Sequence, residues 1–230
     1  MAINGVDLYL EDGEILGLLG PNGSGKTTLF NLISGVFRPD SGRIRFGGRD
    51  ITTAGCAAIC QMGIARTFQI TRPFVHLSVL ENVKLGRAYG SRPAKTLEQA
   101  QSEGDEILDF IGLSSKRSVP AGRLSLIDRK RLELGKALST KPKTLLLDEI
   151  MAGLNPTEIL VATNLVKRVR DSGVSLIIIE HMMKAIMGIS NRVVVLNAGR
   201  KIAEGPPSEV VRDQQVIEAF LGVDQDDAEN

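Results

Sequence analysis

A glycine-rich run near the start of the chain has the residue types that bind phosphate groups. Residues 20–27 read Gly-Pro-Asn-Gly-Ser-Gly-Lys-Thr, between an apolar run at 15–19 and a helical stretch at 26–34. Glycines let the backbone curl so that N–H groups face an anion, which the positive end of the following helix also attracts. Lys26 would then reach the β- and γ-phosphates of a nucleoside triphosphate, and Thr27 would hold Mg²⁺. The candidate nucleotide-binding residues are Gly20, Pro21, Asn22, Gly23, Ser24, Gly25, Lys26, Thr27 and Thr28.

Two adjacent acids form the second half of such a site. Asp148 and Glu149 follow three leucines at 145–147, and α/β proteins bind ligands at the carboxyl ends of buried strands. Asp148 is expected to bind Mg²⁺ through the water shell of the ion, and Glu149 to take a proton from the attacking water. Acids at a strand end are on their own more often solvated surface residues. Their pairing with the glycine-rich run is what indicates hydrolysis of a nucleoside triphosphate.

Four short apolar runs must position these groups. They lie at residues 15–19, 144–147, 175–179 and 192–196, and helical segments separate them. This alternation predicts an α/β fold whose mostly parallel sheet is covered by helices on both faces. Together with the glycine-rich run at 20–27, it predicts a P-loop NTPase core. A turn at 197–200 reads as a hairpin and adds a small antiparallel β portion.

The middle of the chain has a different, helical pattern. It extends over about 78–137, is amphipathic at 98–111, and is broken afterwards by glycine and proline. We assign residues 76–137 to a helical subdomain inserted into one domain, whose core comprises about 1–75 and 138–222. The acidic tail 223–230 has no apolar anchors and is predicted to be disordered.

Composition and charge narrow the classes of partner. The formal net charge is +1, with 43% hydrophobic and 24% charged residues. The chain as a whole therefore has no electrostatic attraction for nucleic acid or anionic lipid. No run approaches the roughly 18 apolar residues that a membrane helix needs, so attachment to a membrane would require another chain. Cys56 and Cys60, without a nearby His, fit neither a disulfide framework nor a zinc site and are expected to be buried.

Together with these residues, four further motifs make the chain resemble ATP-binding-cassette (ABC) ATPases over nearly its whole length. Gln69, which ends the run Arg-Thr-Phe-Gln, is similar to the family's glutamine that touches Mg²⁺ and the attacking water. His181, after a buried run, resembles the histidine that contacts the γ-phosphate, although a lone His there is more often structural. Ser125 stands in the signature segment, which faces the ATP of a partner subunit. Asn155 stands in the D-loop, where the family usually has Asp.

The chain also departs from the family pattern. The signature, usually Leu-Ser-Gly-Gly-Gln, is Leu-Ser-Leu-Ile-Asp at 124–128, and Ser125 with Asp128 also fits a simple helix-capping box. Residues 1–8 match the family's second strand, so the first strand and its adenine-stacking aromatic are missing from the expected order. Ile150 replaces the proline that usually follows the catalytic glutamate.

The altered signature bears on the partner subunit. Ile127 places a stiff β-branched side chain where the family has glycine, and Asp128 would add negative charge near the partner's ATP. Closure over that ATP is expected to weaken, whereas an intact partner signature would complete the site on this chain. The resemblance therefore favours a heterodimer with one strong site.

The resemblance implies an enzyme that binds ATP and Mg²⁺ and hydrolyses ATP to drive transport. Residues 63–69, 71–74 and 180–187 resemble ATPases of branched-chain amino-acid importers, with urea or short-amide importers and lipopolysaccharide export as alternatives. Two classes outside transport stay open, a nucleotide-binding regulatory subunit without hydrolysis and a soluble cassette protein of translation or DNA repair. The retained site residues disfavour the former, and a single cassette without sustained heptads disfavours the latter.

The implied partners are a second ABC ATPase subunit, two transmembrane permease subunits and a substrate-binding protein, with no nucleic acid. The chain would then lie at the cytoplasmic face of the cell membrane, peripheral through the permeases. Docking is expected in the groove near Gln69, with Phe74, Val75 and Leu77 as apolar anchors. These three are equally well explained as core of the helical subdomain.

Overall fold

A six-stranded sheet positions the predicted phosphate-binding residues. The structure is a computed structural model that describes residues 2–68 and 73–221. The strands of this sheet are β1 (Ile15–Leu19), β4 (Ile64–Arg66), β5 (Thr144–Asp148), β6 (Ser175–Ile179), β7 (Arg192–Asn197) and β8 (Arg200–Gly205), and a separate antiparallel pair is formed by β2 (Arg45–Phe46) and β3 (Arg49–Asp50). Their order across the large sheet is β4-β5-β6-β1-β7-β8, parallel except for the antiparallel β7–β8 hairpin. The predicted α/β class, with its mostly parallel sheet and small antiparallel portion, is confirmed.

The apolar runs are continuous because both faces of the sheet are covered. Every residue of β1, β5 and β6 is buried, as expected for parallel strands under two layers of helices. Alternate side chains enter two separate apolar cores: Leu16 and Leu18 join Phe30 on one face, and Ile15 joins Leu176 on the other. Since the strands are parallel, their carboxyl ends meet at one edge.

Nine α-helices occur in the described part of the chain. They are α1 (Lys26–Ile33), α2 (Cys56–Met62), α3 (Val79–Tyr89), α4 (Leu97–Phe110), α5 (Leu126–Ser139), α6 (Pro156–Asp171), α7 (Met183–Met187), α8 (Pro207–Val210) and α9 (Gln214–Leu221). Helices α3, α4 and α5 contact one another and lie between β4 and β5 in the chain. The subdomain bounds predicted for this segment stay a prediction. Of the helices described, none is both long and apolar enough to cross a bilayer.

Two expectations differ from the structure. The described residues 2–8 form no strand: Ile3 and Val6 pack on the core, and the backbone N–H of Asn4 donates to Gly199 O at 2.7 Å in the β7–β8 turn. Cys56 is exposed and Cys60 is half-buried, because α2 is a short surface helix that buries only Ile59. The acidic tail at 223–230 lies outside the described residues.

Candidate active site

The glycine-rich loop connects β1 to α1 at the carboxyl edge of the sheet. Gly20 and Gly25 have φ values of 146° and 105°, and residues with a Cβ rarely adopt such backbone conformations. A Cβ on Gly20 would lie 2.1 Å from Leu196 O, so a larger residue there would force the loop away from the sheet. The sequence motif is thus matched by a backbone that only glycine fits.

The Lys26 ammonium lies inside this loop. Its Nζ donates hydrogen bonds to Gly20 O at 2.7 Å and Pro21 O at 2.9 Å. Burial lowers the pKa of Lys26, while the nearby carboxylates of Glu149 and Asp148 raise it in part. Phosphate oxygens would offer this buried cation charged acceptors in place of two neutral carbonyls, and charge-assisted bonds are the stronger kind.

Asp148 is buried at the end of β5 and is paired with Arg66 on β4. Its Oδ2 atom lies 2.8 Å from Arg66 Nη2, and the two side chains are 3% and 7% exposed. Arg66 also donates through Nη1 to Asn31 Oδ1 at 2.6 Å and lies over the rings of Phe30 and Phe68. The sequence did not predict a role for Arg66. Its position three residues before Gln69, in the run Arg-Thr-Phe-Gln, was the signal that could have indicated one.

Thr27 and Asp148 have the donor chemistry that suits Mg²⁺. A hydroxyl and a carboxylate are hard oxygen ligands, and Mg²⁺ takes one or two such groups together with water and substrate phosphates. The residues described contain no group of three or more His, Cys, Asp or Glu that could hold a metal ion. Gln69, the third predicted ligand, lies outside the described residues.

Glu149 and His181 meet although they are distant in sequence. They follow β5 and β6, which are adjacent and parallel, with Asp148 in register with Ile179. His181 Nε2 lies 2.6 Å from Glu149 Oε1. The structure therefore brings this predicted catalytic pair together beside Lys26 and Asp148.

Two further charged residues support the Glu149 turn. Lys130 on α5 donates from Nζ to Glu149 O at 2.9 Å, and the Met151 N–H donates to Glu180 Oε1 at 2.6 Å. Burial raises the pKa of Glu180 to about 7, against the effects of the Met151 bond and the Lys130 charge. Sequence reasoning missed both. The signal for Glu180 was an acid that directly follows four apolar residues, just before the candidate histidine.

Ser125 forms the N-cap of α5. Its side chain accepts from Asp128 N at 3.4 Å and donates to Asp128 Oδ2 at 2.8 Å. Ser125 thus caps the helix, but the Asp128 carboxylate binds its hydroxyl and not the backbone N–H that a capping box uses. Ser125 itself is exposed.

Asp128 does not direct its charge outward as expected. The residue is 4% exposed, and its carboxylate contacts Lys116 and, at 3.6 Å, Arg131. Burial raises the pKa of Asp128. The hydrogen bonds from Lys116 and Ser125 and the two nearby cations lower it by more, so the pKa lies below its usual value. The expectation of a negative charge facing the partner's ATP therefore does not hold, because the helical segment neutralises this charge internally.

Asn155 forms the N-cap of α6. Glu158 N donates to Asn155 Oδ1 at 3.0 Å, and Asn155 N donates to Glu158 Oε2 at 2.9 Å. This reciprocal pair is a capping box, which fixes the start of a helix. The predicted role of Asn155 toward nucleotide stays a prediction.

We expect Arg66→Met to lower the free energy of unfolding by about 3–5 kcal/mol, because it leaves the Asp148 carboxylate buried without its cation. Urea denaturation of both proteins measures this. Adding Asp148→Asn to Arg66→Met should restore much of the loss, since the unpaired charge is then gone.

Arg117→Met is the matched control. Arg117 pairs with Asp105 at 2.8 Å, but both side chains are 43% exposed, so its removal should cost no more than about 1 kcal/mol. Equal losses for the buried and the exposed arginine would contradict the assigned importance of the Arg66 pair.

Comparison with known proteins finds relatives along almost the whole chain. The family model described as ABC transporter matches residues 3–152, and the model described as branched-chain amino acid ATP-binding cassette transporter matches residues 200–226. The high-affinity branched-chain amino acid transport ATP-binding protein LivG of Salmonella typhimurium is 37% identical over 96% of this chain and 92% of its own length. The protein of the same description named BraF, from Pseudomonas aeruginosa, is 34% identical over the same shares. A solved ADP conformation of an ATP-binding cassette of an ABC transporter is 34% identical, covers 96% of this chain and 92% of that chain, and has a TM-score of 0.88.

Proposed function

Because this chain belongs to the ABC transporter family of ATPases, we propose that it binds ATP with Mg²⁺ and hydrolyses ATP to drive a branched-chain amino-acid importer. The relatives at 34–37% identity support this substrate class. They do not favour urea import, lipopolysaccharide export, a regulatory subunit or a soluble cassette protein. The observation that carries the proposal is the Glu149–His181 contact of 2.6 Å at the sheet edge that also holds Lys26 and Asp148.

Each group at this edge has a distinct role in the proposed reaction. Lys26 and the N–H groups of the glycine-rich loop bind the β- and γ-phosphates, and Thr27 with Asp148 holds the metal. Mg²⁺, when bound, neutralises charge on the phosphate oxygens. Glu149 accepts a proton from the attacking water. His181 contacts the γ-phosphate and, through Nε2, the Glu149 carboxylate. We assign to Gln69 a contact with metal and water.

The proposed partner subunit is a different cassette. Ser125 and Asn155 would face the partner's ATP, but Ile127 is half-buried and, with Ile150 and Leu154, lines an apolar pocket between α5 and the start of α6. We propose that a β-branched residue at this position, where the family has glycine, weakens closure over the partner's γ-phosphate. The site on this chain keeps its own loop, acids and histidine, so a partner with Leu-Ser-Gly-Gly-Gln would make it the strong one.

The proposed contact with the permeases lies on the segment that precedes α3, where Phe74 N donates to Asn82 Oδ1 at 2.8 Å. Phe74 and Val75 are 55% and 47% exposed, which is unlike the packed core that the alternative required, and Leu77 is half-buried. Exposed apolar groups next to one another mark partner surfaces. Through this surface we place the chain at the cytoplasmic face of the membrane, together with two permeases and a substrate-binding protein.

A reconstituted transporter tests this proposal. We expect leucine, isoleucine or valine, presented by the binding protein, to stimulate ATP hydrolysis, and Phe74→Glu to abolish both the stimulation and co-purification with the permeases. Loss of a central aromatic anchor typically costs about 2 kcal/mol or more of binding energy. The ATP affinity of the isolated variant should be unchanged.

Leu97→Glu serves as the control for Phe74→Glu. Leu97 is 80% exposed and belongs to another helix of the same segment, so its variant should assemble normally. Stimulation by urea or short amides alone would overturn the substrate class. Normal assembly of the Phe74 variant would overturn the docking surface but leave the ATPase assignment intact.

A further inference from the structure

The turn that presents Glu149 has a strained backbone. Glu149 has φ of 50°, a left-handed conformation that costs a non-glycine residue about 1–3 kcal/mol and persists only where surrounding contacts fix it. The turn then continues through Met151, with Ala152 N donating to Glu149 O at 3.3 Å. The position of the catalytic carboxylate therefore depends on the bonds that hold residues 149–151.

Among the described residues, three bonds from other elements reach the backbone of this turn. Glu149 N donates to Ile179 O at 2.9 Å, and Lys130 Nζ donates to Glu149 O at 2.9 Å. The third bond joins Met151 N to Glu180 Oε1 at 2.6 Å, and both partners are buried, with Glu180 2% exposed. This third bond fixes the turn beyond the strained residue.

Burial of the Glu180 carboxyl group is energetically unfavourable. It directly follows the buried aliphatic strand β6, and a carboxyl group in such surroundings is costly unless it has a specific partner. The next residue, His181, contacts the Glu149 carboxylate and is much more exposed, at 47% of its side chain. Two consecutive side chains thus contact the same turn, one at its backbone and one at its reactive group.

We propose that Glu180 is a positioning residue for the hydrolysis step, which holds Glu149 in its reactive position by accepting the Met151 N–H. The inference rests on the proposed ATPase function. This role requires a side-chain oxygen that is long enough to reach the Met151 N–H and accept its hydrogen bond. The full charge is not required, because an amide oxygen accepts the same bond.

Two variants separate reach from charge. Glu180→Asp keeps the carboxylate but withdraws it by one methylene group, and Glu180→Gln removes the charge but keeps the acceptor. We expect the kcat of the assembled ATPase to fall about tenfold or more for Glu180→Asp, because small misplacements of catalytic groups have such effects. Glu180→Gln should stay within about threefold of the native kcat, and both variants should keep the native ATP affinity.

Amide hydrogen exchange of Met151 in the isolated, nucleotide-free chain gives a second readout that needs no activity. Exchange should accelerate in Glu180→Asp and remain near the native rate in Glu180→Gln. Glu14→Asp is the matched control. Glu14 is also buried and accepts a hydrogen bond from a backbone N–H, that of Glu11, at 2.8 Å. It precedes β1 and so lies at the edge of the sheet opposite the active site. This variant should change neither Met151 exchange nor kcat.

Either of two results would overturn the positioning role. One is unchanged Met151 exchange and kcat in Glu180→Asp. The other is a loss in Glu180→Gln as large as that in Glu180→Asp, which would assign the effect to charge. Failure of the proposed function is recognised separately, because the native assembly would then show no hydrolysis, whereas the exchange result still decides whether Glu180 holds the turn.

Discussion

Lys26→Ala is expected to abolish tight ATP binding by this chain. Lys26 is the only cationic residue at 20–28, and its Nζ lies where the loop carbonyls converge. Hydrogen bonds to charged groups contribute about 1.5–3 kcal/mol each. The loss of bonds to two phosphates should therefore weaken ATP binding by a factor of about 10² or more.

Equilibrium titration with ATP measures this effect, and Lys143→Ala provides the control. Lys143 is exposed and precedes β5, at the opposite edge of the sheet, so its variant has the same change in net charge without any change at the site. Thermal unfolding of both variants checks that the chain still folds. An ATP affinity that Lys26→Ala leaves unchanged would remove the basis for the nucleotide site.

Glu149→Gln is expected to retain ATP binding and to lose nearly all turnover. The amide keeps the shape of the side chain and an oxygen for the His181 contact, but it cannot take a proton from water. A general base typically contributes a factor of about 10²–10⁴ in rate. Single-turnover and steady-state hydrolysis, measured with a cassette partner that carries Leu-Ser-Gly-Gly-Gln, test this expectation.

The same mixed dimer tests the proposed asymmetry. Glu149→Gln should cost far more activity than the equivalent change in the partner, because the altered signature of this chain serves the partner's site. Equal losses from the two changes would favour a homodimer that tolerates the variant signature. Turnover at the native rate in Glu149→Gln would show that another group is the base.

Local patterns in the sequence predicted the parts of the site that are themselves local. The glycine-rich loop, the acids at the end of β5 and the histidine after β6 each follow a short apolar run, and parallel strands bring such ends to one edge. The Arg66–Asp148 and Met151–Glu180 contacts join residues 82 and 29 positions apart. No periodicity or spacing encodes which of many charged residues will pair across such distances.

Asp128 illustrates a choice that the sequence left open. Its position in the signature predicted an exposed charge, whereas its spacing from Ser125 fitted a helix cap. Lys116, twelve residues earlier, contributes the cation that makes burial of this carboxylate favourable, and its proximity follows only from how the helical segment folds. The missed burial of Asp128 and the exposure of Cys56 have the same origin, because burial depends on how elements pack.

Helix α5 connects two chemical events. Ser125 at its N-cap is proposed to face the partner's nucleotide, and Lys130, five positions further on and about 7.5 Å along the axis, bonds to the carbonyl of Glu149 in this chain. If nucleotide binding at the partner's site shifts α5, the shift moves Lys130 and changes the stability of the Glu149 turn. Thermodynamic linkage then requires the reverse coupling, so the conformation of this turn must alter the affinity of the partner's site by the same factor.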